Sequence, residues 1–386
     1  MQFFILLFGL LATVLWSFQI IFAFLEYRRQ KKVLPTPDFI PSVSIIVPVF
    51  NEQIGLLHRC MESLLRQEKC DLEIILVDDG SDIVYPDFSG DMVRHIRVNH
   101  GGKRHAQVAG FKLAKHSLIV TVDSDTVLNK DAIRNLCYAK HITKSHAATG
   151  SIFLLNENQN ILTKMIACMY WFSFFQERAS QSFFKTNTCC SGALSVYDKD
   201  IVLEHLHDYL NQTFLSIRCK AGDDRHLSNI FLLNNKKIVW VASAKAYTLS
   251  PSTIMQFVKQ QVRWTVSHIQ SMDYIVRNYK NLSFMFSVFT FRLIFKHSYQ
   301  IFLYALMIQN FGTRCLLITS ASILSVTFAK SLIAFLYTRE VKFVRMLAYT
   351  LYAFFVLNPI ILFGIFIPKQ SLWRISAKRI ESKSKV

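Results

Sequence analysis

LIVTVDSDT, residues 118–126, is an apolar and β-branched run that stops at two carboxylates, Asp123 and Asp125, one residue apart. A continuous apolar run of this length reads as a buried strand of a parallel sheet. Open α/β sheets bind ligands at the carboxyl ends of their strands, so the two acids are expected at the mouth of a site. On an extended backbone, side chains two residues apart point to the same side, and both carboxylates would then face one hard cation. Mg2+ or Mn2+ suits such oxygen donors, with the phosphates of a substrate completing the shell. Asp-Ser-Asp is equally the composition of a solvated turn, so the weight falls on what surrounds it.

Working outward, residues 42–49 (SVSIIVPV) and 72–77 repeat the buried-strand pattern, and a short strand is expected at 95–98. Between them, Leu56, Leu57, Met61, Leu64 and Leu65 give 53–67 helical spacing, and 104–115 reads as a second helix. Such alternation through 38–250 implies an α/β, Rossmann-like domain with a parallel sheet covered on both faces. The loops after the strands carry Val49-Phe50-Asn51-Glu52, then Asp79, and Gly101-Gly102-Lys103-Arg104 precedes the helix that feeds the fourth strand. Acids there can hold ribose hydroxyls and a base edge while lysine and a metal hold phosphates. Asp79 alone is no more than a turn-forming Asp-Gly, but several such loops on one sheet edge read as a nucleotide pocket.

The chain of 386 residues is 52% hydrophobic and only 18% charged. That is too apolar for an ordinary soluble protein, and the surplus is localised. Residues 3–25 are uncharged and long enough to cross a bilayer. Arg28, Arg29, Lys31 and Lys32 follow this stretch rather than precede it, which reads as an anchor with its basic end in the cytosol, not a cleavable signal. Of three later apolar stretches, 284–309 carries Arg292, Lys296 and His297, 316–337 is interrupted by Lys330, and 343–367 is broken by Asn358-Pro359. The basic tail is read as cytosolic, so two crossings are expected, with 343–367 re-entrant or in-plane. The expected organisation is an anchor 1–27, a linker 28–41, the α/β domain 42–250, an amphipathic interface region 251–282, membrane or re-entrant helices 283–368 and a basic tail 369–386. The formal charge of +18 suits anionic lipid and acidic ligands. No zinc-finger spacing, recognition helix or aromatic RNA box points to nucleic acid. Eight cysteines without CxxC spacing are read as free thiols.

SIIVPVFNE at 44–52, VDDGS at 77–81 and VDSD at 122–125 resemble the opening half of a family 2 inverting glycosyltransferase with a GT-A type fold. GDDR at 222–225 is similar to the catalytic-base motif of the processive membrane polysaccharide synthases, and QQVRW at 260–264 fits their QxxRW. GKRHAQ at 102–107, ERASQS at 177–182, CSGALSVY at 190–197 and NQTFL at 211–215 resemble the bacterial hyaluronan synthases. The resemblance implies a multi-pass protein of the plasma membrane with a cytosolic catalytic domain. Its implied substrates are UDP-sugars, UDP-GlcNAc and UDP-GlcA for hyaluronan, and its growing polysaccharide would pass into the lipid bilayer.

Inverting transfer needs a base to deprotonate the acceptor hydroxyl, and Asp224 is the candidate, with Arg225 orienting Asp223 or the phosphates. Asp223-Asp224 could instead cap a helix over 225–233. The resemblance implies Asp125 as metal ligand, Asp123 at the uridine or ribose, and Asp79 and Lys103 on the nucleotide, with Phe50 and Glu52 on the first loop. Arg263 suits a diphosphate clamp, Gln260 shares its helical face, and Trp264 suits stacking on an acceptor sugar. For Arg263 and Trp264, interfacial anchoring competes. Cys190 and Gly192 are placed on the acceptor floor, Gly192 for close backbone approach, and Cys189-Cys190 are read as packed thiols. Residues 252–279 suit a helix at the membrane surface, with Asn187, Gln270 and 169–175 bordering the polymer path.

Departures from the hyaluronan synthase pattern are one N-terminal span where two are usual, Ala193 where proline is commoner, and Leu372-Trp373-Arg374 in place of a Trp-Gly-Thr-Arg loop. Other readings are a synthase of another β-glycan, such as a chito-oligosaccharide or a glucose–glucuronate polymer, a non-catalytic binding subunit, or a lipid-linked monosaccharide transferase. The presence of Asp79, Asp123, Asp125 and Asp224 weighs against the second, and QxxRW against the third.

Overall fold

The computed structural model describes residues 2–31, 35–309 and 312–360. The long helix α1 (Gln2–Gln30) leads into β1 (Ser42–Val49), α2 (Ile54–Leu65), β2 (Asp71–Asp78), β3 (Val93–Arg97), α3 (Lys103–Leu113), β4 (Leu118–Thr121) and β5 (Val127–Leu128). Next come α4 (Ala132–Thr143), β6 (Ala147–Leu154), α5 (Ile161–Trp171), a π-helical segment Phe172–Arg178, α6 (Ala179–Phe183) and β7 (Ser195–Asp198). Short helices α7 (Lys199–Glu204) and α8 (Leu206–Leu210) and a hairpin β8 (Thr213–Phe214) and β9 (Ile217–Arg218) precede α9 (Asp223–Leu233) and β10 (Ile238–Thr248). The remainder is helical: α10 (Ile254–Arg277), α11 (Phe284–Gln309), α12 (Thr313–Thr338) and α13 (Arg345–Tyr352).

The strands form one eight-stranded sheet in the order β3-β2-β1-β4-β7-β6-β10-β5. Its first half is parallel, as expected from the unbroken apolar runs. The second half is not: β7 runs antiparallel to both β4 and β6, and β5 antiparallel to β10. The sheet is therefore mixed, which corrects the all-parallel expectation. Strand β1 buries seven of its eight residues because helices cover both of its faces. Ile45 and Val47 pack with Leu57, Met61 and Leu64 on one side, and Ile46 packs with Ala106 and Phe111 on the other. Helix α3 lies so close to the sheet that a Cβ at Gly110 would stand 2.5 Å from the Ile46 side chain.

The C-terminal end of α1 is hooked into the sheet. Glu26, 1% exposed, accepts hydrogen bonds from Ser182 Oγ and Gln30 Nε2, both at 2.8 Å, and pairs with Arg29 at 2.6 Å. Gln30 donates to the Trp240 carbonyl and accepts from the Ala242 N–H. These backbone groups lie where β10 loses register with β6, between Trp240 and Lys245. The side chain thus supplies partners that the irregular strand lacks.

Among the described residues, three segments are long and apolar enough to cross a bilayer: Gly9–Gln30, Thr319–Thr338 and Val341–Ile360. Of the two crossings expected after the anchor, 316–337 qualifies and 284–309 does not. The latter is α11, and Arg292 in it is committed to an ion pair with Glu177 of the α/β domain. The segment expected to be re-entrant qualifies over the part described. Leu372, Trp373, Arg374 and the basic tail lie outside the described residues.

Candidate active site

The first, second and third loops at the carboxyl edge of the sheet are stitched together. Asp79 N–H bonds the Val49 carbonyl at 2.9 Å, and Asn51 exchanges hydrogen bonds with Asp82 at 2.8 and 3.0 Å. Asp79 is 2% exposed, and its two oxygens accept from the Gly101 and Gly102 N–H groups at 3.0 and 2.9 Å, with His100 Nδ1 also 2.9 Å away. Its carboxylate therefore fixes the glycine loop that opens α3. Gly102 sits at φ +91°, a conformation glycine adopts at little cost. Phe50 stacks on His100 with centroids 4.2 Å apart, and Glu52 is anchored through its backbone to the Tyr85 hydroxyl.

Strand β4 ends at Thr121, and a turn closed by Thr126 N–H to the Asp123 carbonyl at 3.0 Å carries the acids. Asp123 and Asp125 thus sit on a turn rather than on the extended backbone, and the same-side argument does not apply to them. The turn projects Asp123 onto Lys103, whose Nζ is 2.8 Å from it and 3.0 Å from Asp223 on the first turn of α9. One ammonium group joins acids from β4 and α9. Burial alone would lower the Lys103 pKa, but Asp123, Asp223 and Asp224 outweigh it and raise the pKa well above the usual lysine value. A Cβ at Gly192 would stand 2.9 Å from this Nζ and 3.2 Å from both Asp123 oxygens, so a side chain here would displace the Lys103–Asp123 pair.

The two neighbouring acids differ. Asp223 is held below the usual carboxylate range, because Lys103 and Arg104 together exceed the opposing effect of burial. Asp224 is pushed above it by burial and by Asp223. Neither caps α9: its N-cap is Gly222, at φ +77° and without a side-chain cap. Asp224 accepts from Arg225 N–H at 2.7 Å and from the Cys189 thiol at 3.7 Å. The Arg225 guanidinium turns away to His268 at 2.9 Å, so it does not orient Asp223.

On α10, Gln260 Oε1 is buried without a hydrogen-bond partner among the described residues, and Arg263 is exposed. Trp264 is half-buried against Tyr170, 6.2 Å between ring centroids. Phe257 and Val262 pack with Leu154, Ile166 and Leu357, so this helix joins the α/β domain to the last apolar segment.

The model of glycosyl transferase family 2 matches residues 44–206. An N-acetylglucosaminyltransferase of Azorhizobium caulinodans is 32% identical over 297 residues, 74% of this chain and 70% of the relative. This chain is a family 2 glycosyltransferase. It is also 32% identical over 270 residues to an N-acetylglucosaminyltransferase of Bradyrhizobium diazoefficiens, 67% of this chain and 56% of that protein. A hyaluronan synthase of Streptococcus pyogenes is 33% identical over 237 residues, 58% of this chain and 56% of the relative. The chain thus spans little more than half the length of these last two relatives. A mannosyltransferase from Pyrobaculum calidifontis, solved with GDP-Man and Mn2+, aligns with a TM-score of 0.55 and 14% identity over 94% of this chain and all of that one, a likeness of fold.

In this glycosyltransferase the loops bring Phe50, Glu52, Asp79, Lys103, Asp123 and Asp125 to one sheet edge, and α9 adds Asp223 and Asp224. Gly192 lies against Lys103 and Asp123. Cys190 is fully buried, its N–H donating to Ser228 Oγ at 2.8 Å. Asn187 is likewise fully buried, accepting from Cys189 N–H at 3.3 Å. Sequence reasoning missed His100 as part of the site, read Cys189 only as a packed thiol, and gave Asp223 no cationic partner at Lys103. Only His100 carried a local signal, an aromatic side chain directly before the Gly-Gly-Lys turn.

Proposed function

We propose that this glycosyltransferase is a membrane-bound inverting polysaccharide synthase that uses UDP-sugars, with UDP-GlcNAc and UDP-GlcA as donors of a hyaluronan-like chain. The observation that carries the catalytic part is the junction at Lys103. Its ammonium pairs with Asp123 and Asp223, and the neighbouring Asp224, which makes no direct ion pair with it, is the acid whose pKa burial and Asp223 raise toward that of a working base.

Asp224 takes the proton of the acceptor hydroxyl as that oxygen bonds the anomeric carbon from the face opposite the diphosphate. The bond from that carbon to the diphosphate oxygen breaks, and its electron pair leaves with UDP. Lys103 and Arg263 meet the developing charge on the diphosphate. Asp79 holds the Gly101-Gly102 loop against the nucleotide, the Phe50–His100 stack offers an aromatic face to the base, and Asp123 and Glu52 face the ribose. Gln260 turns its unpaired oxygen to the same ligand, and Trp264 stacks on the acceptor.

A divalent cation fits here. Asp123 and Asp125 stand on one turn after β4, which suits an ion that takes one or two carboxylates and completes its shell with phosphate and water. Asp125, with Asp123 beside it, would hold Mg2+ or Mn2+, which supplies charge neutralisation for the leaving diphosphate. The three apolar segments and α10 support a growing chain entering the bilayer.

The names of the rhizobial relatives favour a second reading, a chito-oligosaccharide made from UDP-GlcNAc alone. UDP release by the purified protein with Mg2+ or Mn2+ separates the two. Release that rises sharply only with UDP-GlcNAc and UDP-GlcA together, and a product cut by hyaluronidase, is expected. Turnover with UDP-GlcNAc alone would establish the second reading, and silence with every UDP-sugar would refute both.

A further inference from the structure

Beyond Asp224 the side chains become strongly basic. Glu177 and Arg178 end the π-helical segment Phe172–Arg178, and π segments inside helices are frequent at functional sites. Arg178 donates to the Cys189 carbonyl at 3.2 Å, and the Cys189 thiol donates to Asp224, so this segment abuts the candidate base. Arg225, the next residue after that base, turns to the same side, onto His268 of α10. From α11, Arg292 pairs with Glu177 at 3.0 Å. Lys296 of α11 and Lys330 of α12 add their charges within electrostatic range of that pair.

These groups come from five separate elements, so their proximity is made by the fold and not by a run of sequence. Glu177 neutralises only part of the charge. Burial would raise its pKa, but Arg292, Lys296, Arg178 and Arg225 override it and hold it low. The same field pulls the pKa of His268 well below its usual value, burial first and Arg225 next, so this imidazole adds no further charge. Uncompensated cations packed between helices are costly unless water or an anion meets them. Glu177 keeps 44% of its side-chain surface accessible while Arg292 keeps 18%, so the pair is not sealed within the packing.

We propose that Arg178, Arg225, Arg292, Lys296 and Lys330 form a binding site for carboxylates of an acidic glycan chain, at the point where the polymer leaves the acceptor pocket. This rests on the synthase reading above and narrows its product to a polyanion. The cations begin beside Asp224 and continue along α11 and α12, the direction a nascent chain would take toward the apolar segments. A neutral chitin-like chain would gain nothing from them.

The test is binding of inert oligosaccharides to the full chain in neutral detergent at low salt, without donor sugars. A tetrasaccharide alternating glucuronate and N-acetylglucosamine is expected to bind at least about tenfold more tightly than the neutral tetramer of N-acetylglucosamine, the order of effect of one desolvated charge pair. The preference should fall with added salt and disappear in the double variant Arg292→Gln, Lys296→Gln. Arg292→Lys, which keeps the charge, should retain it and controls for folding. Equal affinity for the two tetramers would overturn the proposal, as would a preference that survives the double variant. UDP release judges the synthase reading separately: polymerisation of both donors without an oligosaccharide preference would sink this site alone.

Discussion

Lys103→Met removes the cation that Asp123 and Asp223 share at 2.8 and 3.0 Å while keeping the reach of the side chain. Two unit charges about 4 Å apart interact by roughly 4 kcal/mol at an effective dielectric of about 20. Desolvation offsets much of that, and Lys103 and Asp123 keep 28% and 34% of their side-chain surface exposed. The expected net loss near neutral pH is therefore about 2–3 kcal/mol, below the roughly 3–5 kcal/mol for breaking a fully buried pair. The loss depends on pH with a definite sign. Asp223, with its folded pKa lowered, contributes stability that is present above the ordinary carboxylate range and lost as pH falls through its folded pKa. Lys103, with its pKa raised, contributes at every pH below the ordinary lysine range. Without it Asp223 and Asp224 repel each other, and taking up a proton at low pH relieves them. Thermal unfolding in detergent should show the variant lower by about 4–12 °C near pH 7.5 and by much less at a pH below the ordinary aspartate range. An equal shift at both pH values, or none, would refute the argument that charge and not packing holds this junction.

Three other outcomes follow from the geometry. Gly192→Ala puts a methyl group 2.9 Å from Lys103 Nζ and 3.2 Å from the Asp123 oxygens; calorimetry should find UDP bound roughly tenfold more weakly, with little change in the unfolding temperature. Gln30→Leu strips partners from the Trp240 carbonyl and Ala242 N–H, and each unsatisfied group costs about 1–3 kcal/mol, visible as a lowered unfolding transition. Because burial and Asp223 raise the pKa of Asp224, kcat/KM should fall with decreasing pH along a limb that lies above the ordinary aspartate range, and Asp224→Glu should move that limb.

The first half of the sheet was legible because β1, β2 and β4 are unbroken apolar runs, and 42–49 was placed to the residue. β6, with the sequence AATGSIFL, and β7, with SVYD, carry no such run, and nothing local announces that β7 enters antiparallel. β10 is irregular between Trp240 and Lys245 and depends on Gln30, more than two hundred residues away in the chain. The acids of the site were visible as motifs, yet their partners were not. That Asp79 holds a backbone loop, that Asp223 shares Lys103 with Asp123, and that Arg225 faces His268 are all tertiary facts. The charges in the first half of α11 were visible in the sequence, but that Arg292 pairs with Glu177 required the fold.

The most direct measurement is the turnover of Asp224→Asn in detergent, with the donors that the unaltered protein uses, beside its affinity for UDP. If Asp224 is the base, turnover should drop by roughly 10²–10⁴-fold while UDP affinity stays within about twofold, since the nucleotide is held by other residues. Turnover equal to that of the unaltered protein would contradict the assignment and the mechanism built on it.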